Sequence, residues 1–160
     1  MHETVHVILS VVAGFITWKV WKRPMVSFFC AILSGVFVDI DHLVDYCMAF
    51  GTDFRMDWFL NGYYFLKNGK VYEFLHGWEY VVILTAGMFI LRNKTAKSVC
   101  MALSLSLFFH LCFDTVAYGF RPAVYSVIYR ADKGFDTMRL VDSEQYNKYM
   151  ERKAEVFQIK

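Results

Sequence analysis

The chain has 160 residues, 57% of them hydrophobic and 19% aromatic, with 17 basic against 15 acidic side chains and a net charge of +2. A single domain's worth of chain this apolar departs from average soluble composition and points to residence in a membrane. The near balance of charge excludes a polyanion-binding surface spread over the whole chain, so nucleic acid is not an expected partner.

The first apolar run, Val5 to Trp21, is interrupted only by Ser10, Thr17 and Lys19, and predicts a membrane helix. It ends in Trp18-Lys19-Val20-Trp21-Lys22-Arg23, the residue types of a membrane–water interface, before Pro24. Met1-His2-Glu3 lacks the basic n-region of a cleavable signal, so this helix is expected to stay on the mature protein.

Run two extends from Met25 to Val44. Its first 14 residues, to Val38, would rise about 21 Å as a helix against about 30 Å of hydrocarbon. A complete crossing therefore carries Asp39, Asp41 and His42 into the slab or just under its surface. Carboxylates there are costly unless paired or bound to a cation, and are functional by default.

From Asp45 to Leu75, Trp58-Phe59-Leu60 and Tyr63-Tyr64-Phe65 lie among polar residues and are interrupted by Gly51, Gly62 and Gly69. This pattern predicts an aromatic loop at the interface with one or two short helices. Run three, Trp78 to Leu91, is short, with His76 and Glu79 at its start. Run four begins at Ser98 and meets His110 and Asp114 before resuming to Phe120. In the polar tail, Asp142 and Gln145 have the spacing of a capping box for a helix to about Phe157. Cys30, Cys47, Cys100 and Cys112 have no C-x-x-C spacing, and three of them lie in apolar runs where a thiol packs as a small hydrophobe.

The expected architecture is all-α: a four-helix transmembrane domain over residues 1–120 and a polar, partly helical tail over 121–160. Lys19, Lys22 and Arg23 crowd the first connection, and Arg92, Lys94 and Lys97 the third, which places both in the cytoplasm and the termini outside. With four alternating spans, the start of helix one, the end of helix two, the start of helix three and the end of helix four share one membrane side. All five histidines, His2, His6, His42, His76 and His110, fall at those places.

Helical spacing sharpens the coincidence. His2/His6 and His110/Asp114 are i,i+4 pairs, and Asp39/His42 and His76/Glu79 are i,i+3 pairs, so each pair projects from one helix face. Histidines with carboxylates suit zinc first, then manganese or iron, as one ion or two. The expected ligands are His6, Asp39, His42, His76, His110 and Asp114. Asp41, about 200° round an ideal helix from Asp39, cannot share that face unless the helix ends or distorts. Asp41 or Glu79 is the expected general base. Each of these residues also has an ordinary account, since polar tips gather at interfaces whether or not they bind anything.

The ordered set resembles the YdjM-like inner-membrane proteins described as membrane-bound metal-dependent hydrolases. His6 fits that family's early histidine, Val38-Asp39-Ile40-Asp41-His42 its P-D-I-D-H element, and His110-Leu111-Cys112-Phe113-Asp114 its H-x-x-x-D element. The resemblance covers about residues 1 to 120. Val38 stands where the family has proline, and Leu75-His76-Gly77-Trp78-Glu79 places a glutamate where its later histidine is expected. The resemblance implies a metal-dependent hydrolase of the inner membrane, while the depth of the site suggests a lipid or other amphiphilic ester or phosphoester as substrate and the charge pattern an extracytoplasmic site. The rival readings are a metal or proton transporter and a non-catalytic membrane scaffold; oligomeric state is not readable from the chain.

Overall fold

The computed structural model describes residues 3–157. In chain order the helices are α1 (Glu3–Trp21), α2 (Pro24–Gly35), α3 (Asp41–Phe50), α4 (Met56–Leu60), α5 (Tyr63–Asn68), α6 (Trp78–Ile90), α7 (Lys94–Tyr118), α8 (Val127–Asp132), α9 (Thr137–Leu140) and α10 (Ser143–Phe157). Two 3-10 turns, Phe37–Ile40 and Pro122–Tyr125, precede α3 and α8. The protein is all-α, and no strand occurs among the described residues, only an isolated bridge between Lys70 and Asp136. The chain divides into two compact units, Met1–Asp39 with His76–Gly119, and Ile40–Leu75 with Phe120–Lys160.

In the first unit α7 packs against α1, α2 and α6, and α1 also packs against α2. The turn from α1 to α2 uses Lys22 at a positive φ of 58° and Pro24 at the first position of α2, where a missing N–H costs nothing. Asn93 opens α7 by accepting from the N–H groups of Thr95 at 2.8 Å and Ala96 at 3.2 Å. Gly119, at a φ of 68°, closes it in the left-handed conformation that glycine adopts without strain.

The faces of α1 are the reverse of a soluble helix. His6, Ser10, Ala13 and Thr17 form one buried stripe, while Val7, Ile8, Val11, Val12, Phe15, Ile16 and Val20 are exposed. In a bilayer, lipid tails would solvate those large side chains as well as a protein core does. Helix association in that solvent relies on small residues and hydroxyl hydrogen bonds. Ala13, Cys30, Ala31 and Ala102 make the central apolar contact. Ser106 Oγ donates to Ala31 O at 2.7 Å, and Ser27 and Ser98 hydroxyls meet at 3.3 Å.

Thr4–Trp21 and α7 are each long and apolar enough to cross a membrane, and Pro24–Gly35 with Phe37–Phe50 adds a third crossing if that broken pair is one span. By length and composition, two or three crossings are shown where four were expected. The fourth candidate, α6, has 13 residues, about 20 Å of helix, short of about 30 Å of hydrocarbon. Run two is likewise not one continuous helix. Gly35 ends α2, and the 3-10 turn intervenes before α3 begins at Asp41.

In the second unit α5 packs against α3 and α10. Tyr46 is fully buried among Phe50, Phe54, Phe59 and Tyr64, so the aromatic segment builds its own core around short helices. Tyr149 of α10 donates from its hydroxyl to Leu66 O at 3.1 Å. At the start of α10, Gln145 N–H donates to Asp142 Oδ1 at 2.9 Å and Asp142 N–H to Gln145 Oε1 at 3.4 Å, the reciprocal pair of a capping box.

Candidate metal centre

Four segments of the first unit bring donor side chains to one place. His6 comes from the first turns of α1, Asp39 from the 3-10 turn, His76 from the residues before α6, and His110 with Asp114 from successive turns of α7. His6, His76, His110 and Asp114 are all at least 95% buried. Among the described residues His6, His110 and Asp114 form a group whose ligand atoms all lie within 4.8 Å of one another, a group that could hold a metal ion.

Asp114 links the two α-helical histidines: its Oδ1 is 3.3 Å from His6 Nε2 and its Oδ2 is 3.0 Å from His110 Nε2. The His6 and His110 rings stack at a centroid distance of 3.9 Å. On the other side Asp39 Oδ1 is 3.1 Å from His76 Nε2 and 3.4 Å from His110 Nε2. His76 Nε2 and His110 Nε2 are themselves 3.1 Å apart.

His110 is held in one orientation by a backbone group. Its Nδ1 lies 3.0 Å from Gly35 O, and a carbonyl only accepts, so Nδ1 carries the proton and Nε2 is the nitrogen that could face a metal ion. A histidine ligand fixed this way through its other nitrogen is the usual outer-shell arrangement. Two imidazole lone pairs 3.1 Å apart repel unless a proton or cation lies between them. Two nitrogens on one tetrahedral zinc, each about 2.0–2.1 Å from it, are about 3.3 Å from each other. Donor chemistry and spacing therefore fit a divalent ion.

The other expected site residues lie as follows. Glu79 is half-buried in the first turn of α6, three residues beyond His76. Asp41 and His42 belong to α3 in the second unit. Asp41 Oδ2 accepts from Leu75 N–H at 2.8 Å, and His42 Nδ1 is 3.4 Å from Glu73 Oε1. Asp39 and His42 are thus not carried as one pair on a single α-helix, because the 3-10 turn separates α2 from α3. His2 lies outside the described residues.

Residue-by-residue reading of the chain missed Gly35. A methyl group there would collide with the hydroxyls of Ser10 and Ser106, so glycine is needed for the close approach that also presents its carbonyl to His110. Nothing but a glycine near the end of an apolar run signals this in the sequence. No protein-family model, curated protein or solved structure matches this chain.

Proposed function

We propose that this protein is a membrane-embedded metal-dependent hydrolase, similar to the YdjM-like proteins, with a divalent ion held by His6, Asp39, His76, His110 and Asp114. The observation that carries the reading is the convergence of three buried imidazoles and two carboxylates from four segments, with His110 Nε2 aimed inward by the Gly35 carbonyl. A bound ion would supply acidity to a water molecule and polarise a phosphoryl or acyl oxygen. Asp114 keeps two imidazoles in register and would offset charge on the bound ion. Glu79 is the general base we assign, in preference to Asp41, whose carboxylate is engaged with the Leu75 amide.

The outer faces of the surrounding helices are apolar, which favours an amphiphilic ester or phosphoester as substrate. The charge pattern of the connections favours an extracytoplasmic site with both termini outside.

One observation favours transport as a second reading. Ser10, Ser106, Ser27, Ser98 and Thr17 are buried and continue the polar face of α1, α2 and α7 past the histidines. Against it, Ala13, Ala31 and Ala102 are fully buried between these hydroxyls and close the way with methyl groups.

Metal analysis of the purified protein beside His110→Ala tests the centre: wild type retains zinc, manganese or iron, and the variant holds one equivalent less. A wild type without bound metal ends the hydrolase reading. Incubation of metal-loaded protein with phospholipids and prenyl phosphates, beside ion flux in liposomes, separates the two activities. Flux without turnover reverses their order.

A further inference from the structure

We infer that His42, Asp45 and Glu73 of the second unit hold a divalent cation. His42 and Asp45 are three residues apart on α3 and so share a face. Glu73 reaches that face from the segment before residue 76, its Oε1 3.4 Å from His42 Nδ1.

Asp45 is 2% exposed. Its Oδ2 accepts from the N–H groups of Tyr72 at 3.2 Å and Glu73 at 3.3 Å, while its Oδ1 is buried without a hydrogen-bond partner among the described residues. A buried carboxylate oxygen is rarely left so, and an unmet ligand is one of the few explanations. The amides of Tyr72 and Glu73 also fix the carboxylate's direction.

The backbone of Glu73 is clamped on both sides. Its N–H goes to Asp45, and its carbonyl accepts from Arg130 Nη2 at 2.6 Å, while Arg130 Nη1 donates to Val124 O at 2.6 Å. This clamp holds Glu73 at a φ of +38°, in the left-handed region where glycine would be cheaper. A glutamate at that position keeps a carboxylate on the face shared with His42 and Asp45. One imidazole and two carboxylates make a donor set of net charge −2 when deprotonated, which a divalent ion neutralises. Zinc, manganese and ferrous iron all accept such a mixed nitrogen and oxygen set.

The test uses the full chain in detergent, loaded with zinc and in parallel with manganese, and dialysed before metal analysis. His110→Ala disables the centre of the first unit and is expected to retain one equivalent. Adding Glu73→Gln or Asp45→Asn to His110→Ala removes that equivalent, while circular dichroism remains that of His110→Ala. Asparagine keeps an acceptor for the Tyr72 and Glu73 amides; should Asp45→Asn nevertheless fail to fold, Glu73→Gln, whose backbone contacts are untouched, decides the matter. Metal retained by His110→Ala/Glu73→Gln overturns the inference, as does a folded His110→Ala protein that holds none. If single Glu73→Gln loses an equivalent but single His110→Ala does not, this site stands and the centre proposed for the first unit falls.

Discussion

At the level of single residues, the first unit depends on how closely α2 approaches α1 and α7 at Gly35. Its missing side chain leaves room for the Ser10 and Ser106 hydroxyls, and its carbonyl orients His110. Gly35→Ala must displace those hydroxyls or the helix. Overpacking of this kind costs about 1–3 kcal/mol, and loss of an outer-shell partner lowers metal affinity about 10–100-fold. Thermal melts and competitive zinc titration check both. Trimming the hydroxyls in Gly35→Ala/Ser10→Ala/Ser106→Ala is expected to recover part of the stability. His110 and Asp114 were legible from the sequence because an i,i+4 pair in an uninterrupted helix has only one geometry. Asp39 and His42 were less so. Their spacing has that meaning only within one helix, and Val36-Phe37-Val38 holds no breaker to announce the change from α2 to a 3-10 turn and then α3.

At the level of elements, hydropathy located α1 and α7 because each is a long apolar run whose polar residues, away from the helix ends, are largely buried. It could not show that α6 stops after 13 residues, since Leu91 is as apolar as the residues before it. In contrast, the start of α10 was readable from two side chains. The capping box predicts that Asp142→Ala destabilises the second unit by about 1 kcal/mol. Because Asp142 belongs to neither donor set, the same variant leaves metal content unchanged. A melt recorded beside metal analysis tests the two statements together, and a loss of metal in Asp142→Ala would tie the tail to the sites.

At the level of the whole molecule, a bound ion should be visible as stability. His6, Asp39, His76 and the His110/Asp114 pair come from four separate stretches of chain that are not together in an unfolded chain, so ion binding favours the folded state by mass action. At free ion about 100 times the dissociation constant, that amounts to about 2.7 kcal/mol. Chelator-treated protein in detergent is expected to melt lower than metal-loaded protein, and His110→Ala to show a reduced difference. Equal melting of the two wild-type samples would mean that the cluster holds no ion tightly.

Orientation is the property the chain states least directly, because it depends on where basic residues lie relative to helix ends and not on any contact. Lys19, Lys22 and Arg23 follow α1 closely, and Arg92, Lys94 and Lys97 flank the start of α7, so both connections are expected in the cytoplasm. In a Cys47→Ser background, chosen because Cys47 is exposed, Lys22→Cys and Lys94→Cys should resist a membrane-impermeant thiol reagent in intact cells and react after permeabilisation. Because α1 is one of the two helices long enough to cross, a protected residue 22 puts its start, and His6 with it, on the outer side. His110 and Asp114 meet His6 directly, so the metal centre would then open to the extracytoplasmic face. Labelling of both cysteines in intact cells would place the centre on the cytoplasmic side and redirect the search for substrate to the inner leaflet.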